Sequence, residues 1–226
     1  MAQVDKNTVK ADNQLDDMFK VTFENEQSKG LRILFVGNSI TRHAPKAEIG
    51  WFNDWGMAAS SKENDYVHIV KKLVLEKSPD ATFCICQMSD WEKDYINGES
   101  LLHKFEKARE FEADIIIMRL IENCSSKKLK ADIFTNEYTK LLDYLNKGNK
   151  AKIIITSSFW KHSGDICLNK IADDIGADYI YLGDLGESSD MRADGLFEHK
   201  GVAIHPGDKG MEQIAGRIYE KLKKYM

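Results

Sequence analysis

The chain has 226 residues, of which 42% are hydrophobic and 30% charged, and its net charge is −4. That length suits one generous domain or a domain with a short extension, and the mild acidity argues against a nucleic-acid partner. No apolar run reaches the roughly 18 residues of a membrane helix, and the first residues lack a signal peptide's apolar core. No membrane partner is therefore expected. As written the chain reads as cytoplasmic; a periplasmic or secreted protein whose signal peptide had been removed would read the same.

Residues 1–30 stand apart from the rest of the chain. Within them "MFKVTFENE" alternates weakly, which suggests an edge strand or a packed arm. From residue 31 to 226 apolar runs alternate with amphipathic stretches. Residues 31–37 read as a buried strand. Residues 65–78 come next as a helix, with Val67, Val70, Val74 and Leu75 on one stripe. A second strand spans 81–87, a helix 100–113, and a third strand 114–120. A helix over 135–148 has Thr135 as its cap and Gly148 at its end. Strands at 151–158 and 178–184 flank a helix at 165–177, and residues 206–226 close the chain as a helix.

Continuous apolar strands separated by helices imply a parallel sheet covered on both faces. The expected fold is a three-layer α/β/α sandwich around a five-stranded, flavodoxin-like parallel sheet. The four cysteines, Cys84, Cys86, Cys124 and Cys167, read as small buried hydrophobes; no zinc-ligand spacing appears, and no metal or cofactor is expected. Neither nucleotide-binding glycine pattern follows the first strand.

Ligands of such sheets bind beyond the C-terminal strand ends. Those ends carry Asn38 and Ser39, Gln87 to Trp91, Arg119 to Asn123, Ser157 to Trp160 and Gly183 to Glu187, with His205 on the loop before the last helix. Each alone is an ordinary turn or surface residue. Their convergence matters, because a nucleophile, a base and an oxyanion donor must all reach one carbonyl. His43 is a rival base, four residues after Ser39.

Four stretches together resemble the SGNH hydrolases, also called GDSL-type esterases, from about Leu31 to the C-terminus. "FVGNSIT" is similar to the family's first block, with Asn38 in place of the usual aspartate and Ser39 at the nucleophile position. "DWGMAAS" resembles the second, where Gly56 would give a backbone N–H to the oxyanion. "ADIIIMRLIENC" resembles the third; Asn123 matches its asparagine, while Ile121 and Cys124 replace its glycine and aspartate. "IHPGDKGMEQIA" resembles the last, with His205 as base.

The resemblance implies a serine-dependent carboxylester hydrolase acting on a small-molecule or carbohydrate ester, with deacetylation of a carbohydrate the suggested reaction. Ser39 and His205 would be catalytic; the amides of Ser39 and Gly56 and the side chain of Asn123 would form the oxyanion hole. Trp55, Trp91, Arg119, Glu122 and Trp160 are candidates for substrate contact. The alternatives are an SGNH-like thioesterase or lysophospholipase, or a non-catalytic binding protein of the same fold. The family's triad aspartate falls at Val202, which carries no carboxylate. The substitutes are Asp194, Glu198 or Glu122, or a backbone carbonyl on the histidine's other nitrogen; the carbonyl, and hence a Ser39–His205 dyad, is the favoured expectation.

Overall fold

The computed structural model describes residues 20–226. The strands are β1 (Val21–Glu24), β2 (Arg32–Gly37), β3 (Thr82–Gln87), β4 (Ile115–Met118), β5 (Lys152–Thr156) and β6 (Asp178–Ile180). The longer helices are α1 (Tyr66–Leu75), α2 (Ala131–Leu145), α3 (Asp165–Ile175) and α4 (Asp208–Leu222). The strands form one sheet of order β1-β3-β2-β4-β5-β6. The five strands from β2 onward are parallel, in the flavodoxin-like order. Beside the five parallel strands, β1, which lies within "MFKVTFENE", adds antiparallel to β3, from Val21 opposite Cys86 to Glu24 opposite Phe83. The rest of the expected N-terminal arm lies outside the described residues.

Alternation along the strands explains both covered faces. Leu34, Val36, Cys84, Cys86, Ile116 and Met118 point into the layer holding α2 and α3. Ile33, Phe35, Phe83, Ile85, Ile115 and Ile117 point into the layer holding α1 and α4. Each such side chain removed from water contributes roughly 1.5–3 kcal/mol. Helix α2 buries Phe134, Tyr138, Leu141, Leu142 and Leu145, a stripe of helical period.

Several expected boundaries move. Helix α2 begins at Ala131, so Thr135 lies inside it; the Tyr95 hydroxyl accepts the Lys130 N–H at its start. The helix expected over 100–113 breaks into short α and 3-10 turns between Gly98 and Glu110. There Glu137 on α2 takes the Glu99 N–H, and wholly buried Phe105 bends the backbone to φ −114°, ψ 18°. Strands β4 to β6 are shorter than their apolar runs, because those runs continue into the loops beyond the sheet.

The switch point of the sheet lies between β2 and β4, whose neighbours β3 and β5 are reached in opposite directions. Ligands of such sheets bind beyond the C-terminal strand ends at that point.

Candidate active site

Strand β2 ends at Gly37 in a tight turn. The Asn38 carbonyl accepts the N–H groups of Thr41 and Arg42, both at 3.0 Å. Thr41 Oγ1, 2.7 Å from the Tyr66 hydroxyl, sits where a Cβ on residue 37 would go, so the close approach demands glycine. Ser39 is thereby held half-exposed beyond the C-terminal end of β2. Its carbonyl accepts the Met57 N–H at 2.8 Å, and its own amide has no partner among the described residues.

His205 arrives from the opposite end of the chain. A short helical turn, Lys200–Ala203, precedes it, and the Val202 carbonyl takes its N–H at 2.9 Å. Behind it, Ala193 donates to the His205 carbonyl and Gly207 to that of Met191, which clamps the loop. His205 Nε2 lies 2.8 Å from Ser39 Oγ, and Nδ1 lies 2.7 Å from the Gly201 carbonyl. A carbonyl only accepts, so Nδ1 carries the hydrogen and the neutral ring turns its Nε2 lone pair to the serine. The ring is neutral over the ordinary pH range, because burial depresses its pKa to about 4. Gly201 opposes that depression, and His43 and Arg119 add to it. The Trp160 ring stands at 85° to the imidazole, centroids 5.5 Å apart.

No carboxylate touches His205 among the described residues. Asp194 takes the Arg192 guanidinium, and Asp208 takes the N–H and hydroxyl of Ser60 and the amide of Asn64. Val202 is buried in a small cluster with Trp51 and Met57. His43 turns back on its own chain, Nδ1 2.6 Å from the Ala44 carbonyl.

Beneath the serine turn lies a buried ionic cluster. Asn38 is wholly buried; its amide nitrogen donates to Glu92 Oε1 at 3.0 Å and to Glu122 Oε2 at 2.6 Å, and its oxygen accepts the Ile40 N–H at 3.2 Å. Glu122 pairs with Arg119, and Glu122 Oε1 also accepts the Phe159 N–H at 3.0 Å. Glu92 takes the Ile121 N–H at 2.5 Å and the Asn123 amide at 2.6 Å. Burial and the facing Glu122 push the Glu92 pKa up, while its three donors hold it down.

Four expected site residues need correction. The Gly56 N–H is not open to an oxyanion: it donates to Asp65 Oδ2 at 3.0 Å, while Oδ1 of the same carboxylate caps α1 through the His68 N–H. The end of β3 also borders the serine turn, since Gly37 pairs with Gln87; there Gln87 and Ser89 bond to each other. Trp91 is 0% exposed and packs against Phe134 and Tyr138, so it is core. Arg119, also 0% exposed, and Glu122, with 5% of its side chain exposed, are spent on each other and on Asn38 and Phe159. Trp55 remains half-buried, its indole N–H bonded to the Ala59 carbonyl. Asn123 stands exposed in the loop after β4.

Two contributors escaped the sequence reading. Gly201 lies four residues before His205, the spacing of one helical turn, and that spacing was the available signal. Glu92 sits in "SDWEKD", a polar stretch that reads as solvated, and nothing local marks it as buried.

No protein-family model matches the sequence, and no curated protein does. Solved structures match in fold. The psychrotrophic esterase EstA from Pseudoalteromonas sp. superposes with a TM-score of 0.57 at 15% identity, over 86% of this chain and 97% of that one. The acetyl xylan esterase AlAXEase gives 0.55 at 17%, over 85% and 100%. A protein described as a GDSL-like lipase, from Parabacteroides merdae, gives 0.56 at 14%, over 88% and 98%. The chain has the α/β/α fold of the SGNH, or GDSL-type, esterases.

Proposed function

We propose that the protein is a serine carboxylester hydrolase working through a Ser39–His205 dyad. The observation that carries the reading is one line of contacts at the sheet's switch point: Ser39 Oγ to His205 Nε2 at 2.8 Å, and His205 Nδ1 to the Gly201 carbonyl at 2.7 Å. A serine hydroxyl needs a base to take its proton as it attacks. His205 Nε2 takes it, and Ser39 Oγ bonds to the ester carbonyl carbon. The resulting oxyanion accepts the Ser39 N–H and the second hydrogen of the Asn123 amide, whose first is held by Glu92. His205 then returns the proton to the departing alcohol. Water, deprotonated by the same nitrogen, then bonds to the acyl carbon, and His205 hands that proton to Ser39 Oγ as the acid departs.

The missing carboxylate shapes the energetics. Gly201 fixes the tautomer but carries no full charge, so the transient imidazolium is less stabilised than beside an aspartate. The substrate we infer is an acetyl ester of a carbohydrate. Support comes from the half-buried Trp160 beside the base, an aromatic face suited to a sugar ring, and from the fold shared with an acetyl xylan esterase.

The test combines labelling and chain length. A fluorophosphonate should modify Ser39, and p-nitrophenyl acetate should be hydrolysed faster than the butyrate or octanoate. Acetylated xylan should release acetate. A label on Ser157 in place of Ser39 would move the site, and a preference for octanoate would favour the lysophospholipase reading.

A further inference from the structure

We propose that Glu92 is a positioning residue that sets the Asn123 amide for catalysis; the inference rests on the esterase reading above. One side chain joins the nucleophile turn to the loop after β4. Glu92 Oε1 receives Asn38 from the nucleophile turn, at 3.0 Å, and the Ile121 N–H from the loop after β4, at 2.5 Å. Its Oε2 receives the Asn123 amide at 2.6 Å, and its carbonyl accepts the Cys124 thiol at 3.3 Å. Glu92 itself is 0% exposed, while Asn123 is exposed.

Both oxygens of Glu92 act as acceptors here, since three N–H groups point at them. Glu92 therefore decides which end of the Asn123 amide faces inward. The nitrogen must face Glu92, and with one of its hydrogens bound there the other is left to point elsewhere. Without that acceptor the exposed amide is free to rotate and to present its oxygen, which would repel an oxyanion. The bond that Asn123 donates to this carboxylate is, in its ionised form, also stronger than one to a neutral acceptor, so it holds the amide more rigidly. The groups facing Glu92 are Glu122 and Cys124 on the β4 loop and Tyr138 on α2, with Arg119 neutralising Glu122. None of them donates to Glu92 Oε2 among the described residues.

Glu92→Gln separates the two halves of the arrangement. The glutamine oxygen can still serve Asn38 and Ile121, but its nitrogen then meets the Asn123 nitrogen, donor against donor. With one buried negative charge fewer beside Glu122, the fold should survive, as a thermal melt will record. The decisive test is a double-mutant cycle on p-nitrophenyl acetate hydrolysis. Glu92→Gln should lower kcat at least about tenfold with little change in KM, since an oxyanion donor acts on the transition state. In an Asn123→Ala background the same change should have almost no further effect. Multiplying effects in the double variant would overturn the proposal, as would a Glu92→Gln enzyme with wild-type kcat. If Glu92→Gln does not fold, the Asn123 side-chain amide signals of the native protein, assigned by their loss in Asn123→Ala, decide. One hydrogen should exchange slowly and the other fast; two fast hydrogens would overturn the proposal. Absence of turnover and of Ser39 labelling in the wild-type protein would instead sink the esterase reading, so the two failures are distinct.

Discussion

Ser39 and Asn38 are neighbours in sequence, yet they face opposite chemistries. On the Ser39 side the partners are neutral: an imidazole whose pKa is depressed to about 4, a peptide carbonyl and an indole ring. On the Asn38 side two carboxylates and a guanidinium are packed out of water. The difference teaches where this protein uses charge. It does not place a full charge on the base; it places charges where a loop must be held still. Two carboxylates face one arginine there, and Asn38 is tolerated because its amide donates to both. The aspartate usual in the resembling family would bring a third carboxylate to the same spot.

Removing the nucleophile should break the neutral side most completely. Ser39→Ala is expected to lower kcat by about 10⁴-fold or more, with an unchanged melting curve. Near-wild-type turnover in the purified variant would remove Ser39 from the mechanism. Next in size, Asn123→Ala should lower kcat by about 10²–10³-fold and move KM far less. An effect on KM alone would make Asn123 a substrate contact.

On the charged side, Asn38→Asp sharpens the contrast. It adds an acceptor where two acceptors already converge, leaving them without a shared donor at pH 7. Unfolding in urea should show a loss of about 1–3 kcal/mol. Crowded carboxylates have folded-state pKa values raised above those of the unfolded chain. The penalty should therefore shrink as pH falls and the cluster takes up a proton. A variant as stable as wild type at pH 7 would mean that the cluster is not fully ionised.

The smallest effects are expected from the carboxylates outside the cluster. Asp194→Ala and Glu198→Ala should each keep activity within about threefold, since Asp194 is spent on Arg192 and no described contact of His205 involves either. A loss of about 10³-fold in one of them would identify a triad acid.

The sheet was largely legible in the sequence because its strands are continuous apolar runs; β2 and β3 end at residues 37 and 87, where those runs end. The meeting of residues 39 and 205 was expected from the strand ends, the loop before the last helix and the two blocks that resemble the family. What could not be read is the direction of side chains in polar loops. Trp91 and Glu92 sit in one short turn after β3, and both point into the core, a choice made by α2 and the β4 loop rather than by their neighbours in sequence. Gly56 misled for a similar reason. Its local pattern matched a block, but the tertiary partner of its N–H, Asp65, lies nine residues on and is needed to start α1. Helix 100–113 failed because a contact with Glu137 outweighed regular periodicity.

The central claim is that the base works without a carboxylate, and the His205 ring reports on it directly. Titration of ring-labelled protein by NMR should show His205 neutral, with hydrogen on Nδ1, down to about pH 4. Because the unfolded ring titrates near 6.5, the folded chain should also lose stability as pH falls from about 6.5 toward 4, and His205→Gln should flatten that slope. A His205 pKa at or above 6.5 would contradict the account, because it would require an anionic partner on the imidazole.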